Sequence, residues 1–149
     1  MKIQKFIFSN SKSNTYLIEN EKSEENCYLI DAGNGVEAMR ALQPNQNIDA
    51  VFLTHAHYDH IAHIVDVIEK FPSCKIYCSE YTRIALSDYK LNLSFYHGTP
   101  VIFTGEQINI VKDNDNIALF NQEKMIILET PGHNEGCLTF QLRNYFFTG

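Results

Sequence analysis

The chain is predicted to fold as a mixed α/β (α+β) domain, and three observations carry that expectation. Short apolar runs of strand length recur along both ends of the chain. In the middle, the run Val51-Phe52-Leu53 is followed closely by Ile61, Ile64, Val65 and Ile68, spaced i, i+3, i+4 and i+7, so a strand hands over to an amphipathic helix through a short loop. With 149 residues, 44% hydrophobic and 20% charged, the chain suffices for one domain that buries about two-thirds of its unfolded surface.

Taken in order, strands are expected at 2–8, 14–19 and 26–31, with the polar stretch Asn10 to Asn14 as a hairpin connection. Asp31-Ala32-Gly33 reads as a turn in which the glycine supplies a positive φ, and a helix at 35–42 follows it. A strand at 50–54 then opens into a loop, and the helix beyond it runs to about Phe71. His63 falls on the solvated face of that helix with Asp66 and Lys70. A strand at 75–78 and a helix at 80–88 come next, then strands near 101–103, 107–111, 117–120, 125–129, 136–142 and 145–148, with Asp113 to Asn116 as another hairpin connection. Lys90 to Pro100 has weak periodicity and reads as a loop roofing the site, with His97, next to Gly98, as a loop residue.

The most informative segment is His55-Ala56-His57-Tyr58-Asp59-His60, three imidazoles and a carboxylate in six positions. In a chain drawn at random with these residue frequencies, His-x-His-x-Asp-His would arise about 4 times in 10,000. Extended backbone projects residues i and i+2 to the same side, so His55 and His57 can reach one ion if the strand runs into the loop. Asp59 falls where a helix N-cap belongs, able to accept backbone N–H bonds or to face a metal.

Imidazole nitrogen suits zinc, and catalytic zinc sites take three protein ligands and leave a fourth position open. His133 is the best third candidate, because Thr130-Pro131-Gly132-His133 follows the apolar run Met125-Ile126-Ile127-Leu128 as a second strand opening into a turn. Water on such a cation loses a proton near pH ~7 rather than ~16, which is hydrolytic chemistry.

These residues resemble the metallo-β-lactamase superfamily, including its glyoxalase II-like thioester hydrolases. The HxHxDH motif is matched by His55, His57, Asp59 and His60, the Thr-Pro-Gly-His element by Thr130 to His133, and the early Asp-x-Gly turn by Asp31 to Gly33. The resemblance implies a single domain over residues 1–149, an αββα sandwich with its C-terminal part missing. It implies that His55, His57 and His133 hold a first Zn2+, and that Asp59 and His60 begin a second site. Asp59 would also carry protons to and from a bridging hydroxide. The implied activity is attack of zinc-bound hydroxide on an ester, thioester, lactone or related acyl carbon of a small-molecule substrate.

One departure bears on this. In the family the strand after the third histidine commonly ends in a Phe-Thr-Gly-Asp-like segment whose Asp bridges two metals, and a last His follows. Here Phe147-Thr148-Gly149 ends the chain. The expectation is therefore a truncated domain with one or two zinc ions, and an exposed apolar sheet edge that invites a homo-oligomer. A degenerate metal-binding domain without catalysis stays open, as do an RNA-processing phosphodiesterase and an iron-dependent member, although iron-binding relatives often carry Glu where His57 stands.

The formal charge of -6, with basic residues scattered, argues against a nucleic-acid backbone or an anionic membrane as partner. No signal-peptide core and no run of 18 apolar residues is visible, so a cytoplasmic protein is expected, not an exported antibiotic-degrading enzyme. Cys27, Cys74, Cys78 and Cys137 lack Cys-x-x-Cys spacing and read as reduced, mostly buried thiols.

Overall fold

The first 110 residues supply a six-stranded sheet, described with the rest of the chain from a computed structural model over residues 1–9, 11–21 and 26–149. Strands β1 (Lys2–Ile7), β2 (Asn14–Glu19) and β3 (Asn26–Ile30) form an antiparallel meander. Asn10 of the predicted first connection lies outside the described residues; Lys12 and Ser13 close the turn, with Lys12 N–H donating to Phe8 and Phe8 N–H to Ser13, both at 2.9 Å. Strands β4 (Asn47–Phe52), β5 (Lys75–Cys78) and β6 (Ile108–Ile110) add on in parallel. The helices α1 (Gly35–Arg40), α2 (Tyr58–Ile61), α3 (Ile64–Lys70) and α4 (Glu80–Leu86) lie in the connections between them. The second sheet is antiparallel, in the order β10 (Tyr145–Phe147), β9 (Leu138–Leu142), β8 (Lys124–Glu129), β7 (Asn116–Ala118).

Two apolar cores follow from this layering. Leu17, Leu29, Val51 and Leu53 pack under the helices with Ile61, Ile64 and Val67. Ile18, Ile30 and Phe52 face Met125, Ile127 and Phe140 between the sheets. The central strand β4 is thus buried on both faces, which is why Val51-Phe52-Leu53 reads as continuous rather than alternating. The layers are helix, sheet and sheet, and the buried apolar residues of all four helices lie in the first core. On β10, the edge strand of this sheet, Tyr145 and Phe146 are 52% and 57% exposed. Among the described residues no helix is long and apolar enough to cross a membrane.

Several elements differ from expectation for identifiable reasons. Strand β4 begins at Asn47 rather than 50, because Asn47 and Ile48 pair with Asn26 and Cys27 before a register shift that passes over Asp49 and resumes at Tyr28 and Ala50. The helix expected from Ile61 breaks into α2 and α3 at residues 62–63, so the buried set is Ile64, Val67 and Ile68 while Val65 is exposed. Asp59 does not cap: His57 holds the N-cap position of α2 and Asp59 lies in its first turn. No strand forms at 101–103, since Asn92 Nδ2 donates to the Val101 carbonyl and the Ser94 hydroxyl accepts the Val101 N–H, both at 2.8 Å. Helix α4 ends at Leu86, with Ser79 as a side-chain cap accepting from Thr82 N–H.

The turn after β3 also departs from its reading. The positive φ belongs to Asp31, at 58°, and not to Gly33. Gly33 is required by close approach, since a Cβ there would sit 1.6 Å from the Asp59 carbonyl oxygen. The same turn clamps the ligand loop: Ala32 N–H donates to the His60 carbonyl at 2.7 Å, and His63 N–H to the Ala32 carbonyl at 3.0 Å.

Candidate metal centre

Three chain segments converge at one end of the sandwich. Beyond β4 the chain bends at Thr54 and runs without regular structure to His57, which is extended with φ -64° and ψ 147°, and His55 and His57 bring ligand atoms to one place. The connection between β8 and β9 closes by Thr130 N–H to the Cys137 carbonyl at 3.0 Å and carries His133 on its turn. A bond from Leu138 N–H to the Thr54 carbonyl, 2.8 Å, ties the second sheet to the ligand loop and sets how near His133 comes.

One potential ligand atom from each of His55, His57 and His133 lies within 4.8 Å of the others. His133 Nε2 and His57 Nδ1 are 2.9 Å apart, within hydrogen-bond distance, while Asn134 Nδ2 stands 3.4 Å from His57 Nε2. His55 is buried, and its Nε2 is the single buried side-chain nitrogen or oxygen without a hydrogen-bond partner among the described residues. Leaving such an atom unpaired is costly, and a cation is the partner that an unprotonated imidazole in a histidine cluster suits best. The residues therefore fit a bound metal ion. Asp59 and His60 lie beside this trio, with His60 Nε2 3.6 Å from Asp59 Oδ2 and the two ring centroids of His55 and His60 4.1 Å apart.

The electrostatics keep His55 and His57 ready to coordinate. Burial, reinforced by the neighbouring charges of His60, His57 and His133, pushes the His55 imidazole down to about 3. Burial and His133 also lower His57. Burial alone would raise Asp59, but a hydrogen bond from the Ser11 side chain and the charge of His60 hold it below the usual carboxylate range. Burial opposes charging His60, and the charge and hydrogen bond of Asp31 outweigh it, so His60 is raised.

A pH dependence follows with a definite sign. An unfolded His55 takes a proton near 6.5, the folded one only near 3, so between those values the unfolded chain binds more protons and stability falls as pH drops. His60 acts in the opposite sense, its contribution being lost as pH rises through its raised folded value. The urea midpoint of the metal-free protein is expected to decline steadily from about pH 6.5 to about pH 4.5. A midpoint flat across that window would show that His55 is not held neutral.

An open cleft of about 670 Å³ lies over the cluster, bordered by His55, Asp59, His60 and His133 and by Ser11 to Asn14 of the first hairpin. The expected roof is absent from it: none of residues 90–100 lines the cleft. That segment instead forms a 3-10 turn at Ser94–His97, and His97 stacks on Tyr58, ring centroids 4.3 Å apart and 12° from parallel. His63 stays outside the cluster, bonded to Asp66 at 2.8 Å. Cys27, Cys74 and Cys78 are buried and free, as expected, and Cys137 is a half-buried free thiol at the cleft. Asp31, read from the sequence only as part of a turn motif, and Thr54, which no motif singled out, bond to the histidines. The available signal was positional, an acid closing one buried strand and a hydroxyl directly before His55.

A family model described as Metallo-beta-lactamase superfamily matches residues 10–149. Among solved structures, BLEG-1, a B3 metallo-beta-lactamase, is 21% identical with a TM-score of 0.81, over 99% of this chain and 71% of that one. An archaeal metallo-beta-lactamase superfamily protein, ST1585 from Sulfolobus tokodaii, is 19% identical with a TM-score of 0.72, over 98% of this chain and 62% of its own. TTHA1623, solved in a di-iron-bound form, is 21% identical with a TM-score of 0.66, over 93% of this chain and 66% of its own. The chain thus spans less than two thirds of the length of the latter two, and at these identities the likeness shows a shared fold.

Proposed function

We propose, from the premise that this chain belongs to the metallo-beta-lactamase superfamily, that it is a zinc-dependent hydrolase acting on an ester, thioester, lactone or related acyl carbon of a small molecule. The observation that carries this reading is the convergence of His55, His57 and His133 beneath an open cleft. Those three imidazoles would hold the first ion, and Asp59 with His60 would begin a second site. When bound, such an ion lowers the pKa of a water and polarises a carbonyl.

The chain's own groups account for the rest. Asp59, held ionised by Ser11 and by the charge of His60, takes a proton from the attacking water at Oδ2 and returns it to the leaving group. Its position in the first turn of α2 places that carboxylate where the N-terminal helix dipole favours negative charge. The walls contributed by Ser11 to Asn14 and by Thr130 and Thr139 are polar, suiting a small polar substrate. Buried free thiols suit a reducing compartment, and the reading keeps the protein in the cytoplasm.

Iron is the second reading for the metal, favoured by the di-iron form of TTHA1623. Elemental analysis of the purified chain, paired with a panel of acyl and phosphoester substrates, tests both. About one zinc ion per chain with chelator-sensitive acyl hydrolysis is the expected result. Iron with redox activity would replace the zinc reading, and turnover confined to phosphodiesters would overturn the acyl assignment.

A further inference from the structure

Asp31 is fully buried, 0% exposed, immediately beyond β3. Its carboxylate meets three donors. Oδ1 accepts the Thr54 backbone N–H at 2.8 Å, and Oδ2 lies 2.8 Å from the Thr54 hydroxyl and 2.7 Å from His60 Nδ1. A carboxylate has no proton to give, so every one of these bonds runs toward it. In its neutral form His60 therefore carries its proton on Nδ1, which leaves Nε2 as a lone pair 3.6 Å from Asp59 Oδ2.

The consequence extends to a second ring through Thr54. Its hydroxyl has one proton, and the shorter bond to the charged oxygen takes it. Thr54 Oγ1 is also 3.2 Å from His55 Nδ1. With the hydroxyl proton committed to Asp31, the oxygen accepts there and His55 Nδ1–H donates. His55 Nε2 is then the lone pair, and it is the buried atom that lacks a partner.

We infer that Asp31 and Thr54 are positioning residues: one buried carboxylate sets the tautomer of His60 directly and that of His55 through the threonine hydroxyl, turning the Nε2 lone pair of His55 into the histidine cluster and that of His60 toward Asp59. This rests on the reading of the cluster as a metal site and adds what orients it. Partners of this kind fix ring orientation and raise ligand basicity in histidine metal sites generally. The left-handed φ of 58° at Asp31 belongs to the same arrangement, because it turns the chain out of β3 just where the carboxylate must reach Thr54 and His60.

The test is a long-range 1H–15N spectrum of the full metal-free chain, together with a competition titration of Zn2+. The wild type is expected to show His55 and His60 as Nδ1–H tautomers. Thr54→Val should move His55 to the Nε2–H form, leave His60 unchanged, and weaken the first Zn2+ by about 10–100-fold; Thr54→Ser should restore both. Asp31→Asn, whose side chain tolerates left-handed backbone and can donate to His60 Nδ1, should convert both rings. An Nε2–H tautomer at His55 in the wild type, or unaltered Zn2+ affinity in Thr54→Val, would overturn the inference while leaving the metal reading intact. Nδ1–H tautomers in a chain that takes up no Zn2+ would instead overturn the metal reading, and the role given to the pair with it.

Discussion

His57→Ala is expected to lower the metal content of the purified protein from about one ion per chain to less than about a tenth of that, because a site of three protein ligands does not survive on two at ordinary metal concentrations. The variant should fold. His57 occupies the N-cap position of α2 without making a side-chain cap bond, and its ring is half-buried at the cluster rather than packed in either core. Losing it removes a ring that stands 2.9 Å from His133 through Nδ1, so the remaining histidines keep their backbone support but not their convergence. His63→Ala is the matched control, since His63 pairs with Asp66 outside the cluster and its loss should leave metal content unchanged. Full metal retention in His57→Ala, measured by elemental analysis after gel filtration, would refute the ligand assignment.

Asp59→Asn should separate binding from chemistry. The three histidines of the first site are untouched by this change, so the first ion is expected to stay, while the turnover number for the best acyl substrate falls by about 10²–10⁴-fold, the usual contribution of a positioned acid or base. The amide keeps the shape of the carboxylate and can still accept from Ser11, the first group that holds Asp59 low against burial. What it cannot do is take up a proton at neutral pH. A drop in kcat with little change in KM is the signature of an interaction made in the transition state. Unchanged kcat in a metal-loaded Asp59→Asn protein would remove Asp59 from the proton path.

The sequence was most legible where a periodicity or a composition was strong. The meander of β1 to β3, the paired strands β8 and β9, and the strand-loop-helix order around His55 are read correctly, because side-chain alternation and turn residues act locally. It was least legible where long-range contacts supplied the backbone partners. Residues 101–103 look like a strand by their apolar side chains, yet Asn92 and Ser94 take the hydrogen bonds of Val101, and the Leu86 carbonyl accepts the Phe103 N–H. Residues 62–63 interrupt a helix whose pattern looks continuous, at the point where the Ala32 carbonyl accepts the His63 N–H. The loop expected over the cleft packs to one side, where Tyr58 offers His97 a ring to stack on.

At the metal centre the division is similar. The motif His55 to His60 identifies donors by type and spacing, and a strand followed by Pro131-Gly132 singles out His133 from 73 residues beyond His60. Folding adds what spacing cannot express. Leu138 N–H bonds to Thr54 and draws the His133 turn across from the other sheet. Gly33 admits the Asp59 carbonyl at a distance no side chain would allow. Asp31, which reads as an ordinary turn residue, becomes the buried acceptor that orders two imidazoles. Ligand chemistry is a property of individual side chains and is therefore written along the chain. Ligand direction depends on hydrogen bonds between segments distant in sequence, which exist only once the two sheets have packed.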